Sequence, residues 1–458
     1  VPEGNSIGSD AVALAAAVQA GTVSAREVTE QHLEHIGRVN TELNAIVTIA
    51  ADSALLEAEE IDAHIARGER VGDLAGVPFT VKDLIATAGV RTTAGSHALV
   101  DNVPRVDAPA VARMRAEGAI LIGKTNTPEF GASGLTHNDL FGYTVNPLSP
   151  TGMKLSPGGS SGGESAAIAS GMSVVGLGTD FGGSVRWPAH CTGLCSIRPT
   201  PGRIDSEGQY PGVMIDDRVL TNPATMHGTV QTIGPMARTV DDVSLLLRVL
   251  SSPQYTWTDP ASVNLRELDI RWATGEKTIP VDAEIRAAVE AAALRTGPFV
   301  RSVTQYEGTA LRGAHELFTQ MRACETQSDI EQYGPAEFSA NIRTILAAVR
   351  TTTATDIEAL WARRTEMQHQ LLSTMGDVLL LPVASILAPP LGETSFEVDG
   401  VALSWSEALA SSRAISVLGV PSMVVPVATS ASGLPIGIQI IARPWHEHHA
   451  LAVGAALT

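Results

Sequence analysis

Lysine is nearly missing from this sequence. Of 31 basic residues in a chain of 458, four are lysine: Lys82, Lys124, Lys154 and Lys277. Aromatic residues make up only 4% of the chain, and there are three cysteines. Cys191, Cys195 and Cys324 form an odd set at no disulfide-framework spacing, and the C-x3-C pair lacks the further Cys or His ligands that a zinc site needs. Free buried thiols in a reducing compartment are the expectation, with no metal and no cofactor. Charge is also sparse at 17%, and 31 basic against 49 acidic residues leave a formal charge of -18. That balance lacks the basic footprint that nucleic acid or an anionic membrane requires. No apolar run approaches 18 residues: the stretch 11–18 is too short to cross a bilayer and no basic segment precedes it. A cytoplasmic protein with no membrane anchor and no nucleic-acid partner is expected; a homodimer is compatible with the composition.

What is present is a chain rich in small and apolar residues, with 44% hydrophobic residues, 42 Gly and 26 Pro. This excludes disordered, fibrous and coiled-coil classes. Residues 10–37 read as two helices. Asp10 caps the first, and Ser24 with Glu27 forms a capping box for the second. Residues 50–68 and 107–118 read as further helices. The runs 76–85 and 119–125 read as buried strands, so a β-helix-β rhythm emerges and points to an α/β sheet flanked by helices. Another helix is expected within 164–172, a strand at 173–180, and a helix at 239–250 opened by Thr239. Strands follow at 377–385, 421–429 and 434–442, with a short helix at the C-terminal end. No repeat, low-complexity tract or Pro/Ser linker divides the chain. One core over 1–458 is expected, with 255–415 as a more variable, largely helical region.

Two features carry chemistry. Lys82 sits in the apolar run GVPFTVKDLI (76–85). A lysine there must snorkel, pair with Asp83 or another carboxylate, or be neutral through desolvation, in which last case it is a general base. The second feature is the glycine-dense, almost uncharged stretch 156–200. Its FGGS turn (181–184) can converge successive N–H groups into a nest for a developing oxyanion, with Ser184 placed to attack a carbonyl. A phosphate loop or a close-packed turn are the other readings. However, GGSSGG fits neither G-x-x-x-x-G-K-[ST] nor G-x-G-x-x-G, and no G-x-S-x-G elbow surrounds these serines. With no obvious histidine partner, a Ser-plus-Lys arrangement is the coherent chemistry.

PGGSSGGESAAIASG followed by GLGTDFGGSVRWPAHCTG resembles the amidase signature family. GKTNTPEFG (123–131), HNDLFGYTVNP (137–147), IGPMARTVDD (233–242) and GLPIGIQIIA (433–442) resemble further blocks of that family, so the likeness covers nearly the whole chain. It implies a single amidase domain, built as a large mixed β-sheet core with helices on both sides. It also implies a Ser-cisSer-Lys triad. In this numbering, Lys82 is the base, Ser160 the bridging serine after a cis bond, and Ser184 the nucleophile. The backbone N–H groups of Phe181, Gly182, Gly183 and Ser184 would form the oxyanion hole. Supporting places fall to Asp180, which orders the loop, to Arg186, which anchors it, and to Ser161, which donates near Lys82 or Ser160.

The implied activity is hydrolysis of a small-molecule carboxamide through an acyl-enzyme, releasing ammonia or an amine. The alternatives are an ester hydrolase, an acyl transferase and a non-catalytic assembly subunit. The tRNA-transamidating branch fits less well, given the net charge and Trp187, His190 and Ser196 within the signature. Asn126 and Glu129 read as structural. The substrate pocket is expected from 300–415 with help from 131–145, drawing on Phe318, Met321, Cys324, Trp361, Met367 and Trp405, and Trp187 is a candidate wall. Ser416 stands where many members have asparagine.

Overall fold

The computed structural model describes residues 6–276, 278–325 and 328–458. Its centre is one mixed sheet of eleven strands. In chain order these are β1 (Ile46–Ile49), β2 (Pro78–Lys82), β3 (Ile120–Thr125), β4 (Val175–Asp180), β5 (Cys195–Arg198), β6 (Thr232–Ala237), β7 (Asp269–Trp272), β8 (Ser302–Gln305), β9 (Val378–Pro382), β10 (Ser422–Thr429) and β11 (Pro435–Ala442). Across the sheet the order is β1-β3-β2-β4-β6-β5-β10-β11-β9-β7-β8. β2 runs parallel to both neighbours, β3 and β4. The pairs from β4 through β9 are antiparallel, and β9, β7 and β8 are again parallel. Helices flank the sheet, as an α/β reading of the sequence expects.

The local signals in the sequence become caps and buried faces. Asp10 accepts from the Ala13 N–H, and Ser24 and Glu27 close a capping box on the helix Ala25–Leu43. Thr239 caps Val240–Leu250. Such caps stabilise a helix end by about 1 kcal/mol. β2, β3 and β4 are buried at every position, which accounts for their near-continuous apolar runs. Within 255–415, beside its helices, β7 and β8 join the far edge of the main sheet, two strands that the sequence reading does not place. Each has four residues and is half exposed, so neither a clean alternation nor an apolar run marks it. Among the described residues, no helix is long and apolar enough to cross a membrane.

The short helix Gly162–Ala169 is buried along its first seven residues and packs on β2 and β4. Its Glu164 accepts hydrogen bonds from Thr80 of β2 and Thr125 of β3. The helix comes this close because β4 presents Gly176, where an added Cβ would collide with the Glu164 carboxylate. Gly176→Ala is expected to cost about 1–3 kcal/mol through overpacking, read as a lower urea midpoint with unchanged slope. An unaltered midpoint would contradict this packing.

Candidate active site

Because β2, β3 and β4 are parallel, their C-terminal ends share one edge of the sheet. Lys82 ends β2 and Asp180 ends β4. Lys82 is 0% exposed, and its Nζ donates to Ser160 Oγ at 2.6 Å and to Thr179 Oγ1 at 2.9 Å. It does not pair with Asp83, whose carboxylate instead accepts from the Thr93 N–H and hydroxyl. Burial lowers Lys82 to about 7, against the opposing pull of Asp180 and Glu164. Lys124 is equally buried but spends its ammonium on Ile85 O, Thr87 Oγ1 and Thr92 Oγ1. It tethers the chain that leaves β2. Lys154 is exposed, and Lys277 lies outside the described residues.

The serine-bearing loop lies over these strand ends, and its Gly159–Ser160 peptide bond is cis. Ser161 does not reach Lys82 or Ser160, as its expected supporting place would require. Its hydroxyl donates to Thr179 O and accepts from Thr179 N–H, both at 3.3 Å, while its own N–H donates to Ser184 O at 3.2 Å. Ser161 therefore stitches the two serine loops to β4. Ser184 ends the FGGS turn, and its Oγ makes no hydrogen bond among the described residues; it opens on the same cavity as Ser160.

Asp180 organises that turn. Its carboxylate accepts from the Gly183 N–H at 2.8 Å and the Val185 N–H at 3.2 Å. This corrects the four-donor nest: the Gly183 N–H is already committed, leaving Phe181, Gly182 and Ser184. Gly183 has φ +116°, a conformation that suits glycine, and an added Cβ would come within 2.8 Å of Ser412. Arg186 pairs with Asp180 at 2.9 Å and also donates to Ser412 O, Gln439 Oε1 and Ser416 Oγ. Ser416 thus has a defined place, as an acceptor for this guanidinium. Burial alone would raise the Asp180 carboxyl; Arg186 beside it, with Arg198 at 3.6 Å, reverses this and holds it well below the usual carboxylate range. Arg186 is 0% exposed and stays out of the cavity, so its geometry is that of an anchor.

The cavity above Ser160 and Ser184 encloses about 480 Å³. Of the six expected pocket residues, Phe318 and Trp405 line it. Met321, Cys324 and Trp361 line a separate cavity of about 140 Å³, and Met367 is packed in the core. Trp187 is buried behind the wall, donating to Gly134 O and meeting Trp405 edge-on.

A family model described as Amidase matches residues 27–451. The chain belongs to the amidase signature family. It is 33% identical to an indoleacetamide hydrolase of Bradyrhizobium diazoefficiens, over 98% of this chain and 85% of that one. It is 30% identical to a glutamyl-tRNA(Gln) amidotransferase component of a Synechococcus strain, over 95% and 93% of the two chains. A solved structure of 6-aminohexanoate cyclic dimer hydrolase superposes with a TM-score of 0.84 at 28% identity, covering 99% of this chain and 97% of that one.

Within this amidase-family fold, sequence reasoning missed Thr179, His227, Arg322 and Arg413. Thr179 was legible by alternation, since it precedes Asp180 on β4 and must face the opposite side. His227, Arg322 and Arg413 come from distant elements and meet only around the cavity. His227 is lowered to about 3 by burial and then by Arg322, so it is neutral at neutral pH. One group among the described residues, Glu276, His315 and Glu316, brings metal-capable atoms within 4.8 Å of one another. These side chains are engaged with each other, and Glu276 also holds the Gly313 N–H at the start of the helix Ala314–Cys324. Asp180→Asn would leave Arg186 and Arg198 without their buried counter-charge. A loss of about 3–5 kcal/mol is expected in chemical denaturation, and a midpoint equal to wild type would contradict the placement of Asp180 at the centre of the turn.

Proposed function

We propose that this amidase-family protein is a serine amidohydrolase acting on a small-molecule carboxamide. The observation that carries the reading is the buried contact of Lys82 Nζ with Ser160 Oγ, beside a cavity that Ser184 also lines. Neutral Lys82 takes the Ser160 proton, and Ser160 takes the Ser184 proton as Ser184 Oγ attacks the amide carbon. The N–H groups of Phe181, Gly182 and Ser184 receive the oxyanion, each such donor contributing about 3 kcal/mol in comparable sites. The C–N bond then breaks as the relay returns a proton to nitrogen, because an amide anion cannot leave unaided. Water enters by the same route, adds to the acyl carbon and releases the acid and Ser184.

The likeness to an indoleacetamide hydrolase and to a 6-aminohexanoate cyclic dimer hydrolase supports an amide over an ester. The same acyl-enzyme would allow one further reading, transfer of the acyl group to an amine rather than to water.

Ser184→Ala is expected to abolish labelling by a fluorophosphonate and to reduce amide turnover by at least about 10³-fold. Intact-mass and peptide mass spectrometry check both; label on another residue with Ser184 unmodified would remove its role as nucleophile. Added hydroxylamine should yield a hydroxamate if an acyl-enzyme forms. An added amine that captures the acyl group to the exclusion of water would favour the transferase.

A further inference from the structure

A second cluster of chemistry-bearing side chains lies where the segment after β7 meets the helix Ala314–Cys324. Glu276 comes from that segment, and His315 and Glu316 come from the first turn of the helix. None of the three lines the cavity above Ser160 and Ser184. His315 is 7% exposed, Glu276 is half-buried and Glu316 is exposed. His315 Nδ1 stands 3.3 Å from Glu276 Oε2 and 3.2 Å from Glu316 Oε2. One ligand-capable atom from each residue lies within 4.8 Å of the other two.

A shared proton does not satisfy this arrangement. A ring nitrogen carries at most one proton, yet two carboxylates address the same nitrogen. Neither carboxylate forms an ion pair with arginine or lysine among the described residues; His315 is the partner of both. The helix start accounts for one oxygen only. Glu276 Oε1 accepts from the Gly313 N–H at 3.0 Å and from the Thr278 hydroxyl at 3.2 Å. Those two donors fix the carboxylate and aim Oε2 at His315, as outer partners do for the ligands of a metal. The spacing fits an ion as well. Around a metal with bonds of about 2.1 Å, neighbouring ligand atoms stand roughly 3.0–3.4 Å apart. Both nitrogen-to-oxygen distances fall in that range. One imidazole with two carboxylates suits a zinc-class ion, whereas Mg²⁺ and Ca²⁺ prefer oxygen ligands alone.

We infer that Glu276, His315 and Glu316 form a binding site for one divalent transition-metal ion of the zinc class. The bound ion braces the segment after β7 against the helix Ala314–Cys324. Further along that helix, Phe318, Thr319 and Arg322 line the cavity, so the brace holds one of its walls in place. The role is structural and does not rest on the serine amidohydrolase reading. Cysteine spacing carries no sign of such a site, because Glu276 and His315 stand 39 positions apart and meet only in the fold.

The test is calorimetric titration of the full chain, first stripped with a chelator, with Zn²⁺, Mg²⁺ and Ca²⁺, alongside the visible absorption of added Co²⁺. One Zn²⁺ should bind per chain, at least roughly 10-fold more tightly than Mg²⁺ or Ca²⁺. It should also raise the melting temperature, because it binds the folded chain. His315→Gln, Glu276→Gln and Glu316→Gln should each weaken Zn²⁺ by roughly 10- to 100-fold or more and reduce that rise. The Co²⁺ bands should be lost in His315→Gln. Absence of Zn²⁺ binding by wild type, or binding that survives His315→Gln and Glu316→Gln, would overturn the inference. Zinc held instead by His446, His448 and His449, whose rings lie 4.5–5.4 Å apart, would survive in this way. If His315→Gln or Glu276→Gln does not fold, judged by its metal-free melting curve, Glu316→Gln decides, because that side chain is 50% exposed.

Discussion

Keeping Lys82 out of water is the constraint on which the site depends. Burying an isolated ammonium costs several kcal/mol even after relaxation, so the side chain gives up its proton more readily instead. Lys82 reaches that state because β2 is covered on both sides in the sheet, by β3 and β4, and overlaid by the helix Gly162–Ala169 and the cis loop before it. The approach of that loop is possible only because β4 is thin. A Cβ at Gly178 would lie 2.7 Å from Ser161 Oγ, and Gly176 makes room for Glu164. The alternation of small residues in GLGTD is therefore part of how the lysine is desolvated.

A second electrostatic environment lies at the end of the adjacent strand. Asp180 is as buried as Lys82, yet Arg186 and Arg198 keep it ionised. Its oxygens fix the turn through two backbone N–H groups, one of which the sequence motif alone would assign to the oxyanion. Asp180 also favours the charged form of Lys82 through space, which opposes burial. The two groups are thus tuned in opposite senses: one carboxylate held charged to build a turn, one amine held close to neutrality beside a serine. Arg322 and Arg413 form a third environment across the cavity, which Glu325 and Asp329 also line, with Arg322 3.8 Å from the Glu325 carboxylate.

The parts of this structure that were legible in the sequence are those governed by local rules. The caps at Asp10, Ser24 and Thr239, the buried runs of β2 to β4, and the oddity of a lysine within an apolar strand can each be read within a few residues. The glycine-flanked serines were legible through their resemblance to a family. What escaped was set by tertiary neighbours. β7 and β8 are short edge strands with no periodic signature. Met321, Cys324 and Trp361 look like pocket residues by type, but their helices turn them toward a separate, smaller cavity. The commitment of the Gly183 N–H to Asp180 depends on side-chain geometry that no motif encodes.

The central claim is that a desolvated Lys82 activates Ser184 through Ser160. The most direct measurement is the pH dependence of the second-order rate of fluorophosphonate modification at Ser184, in wild type and in Lys82→Met. The expected wild-type profile rises as pH passes upward through about 7, because the proton acceptor appears as Lys82 loses its charge. In Lys82→Met the rate should be far lower and this inflection should be gone. A wild-type profile flat from pH 5 to 9, or an inflection that persists without Lys82, would contradict the assignment.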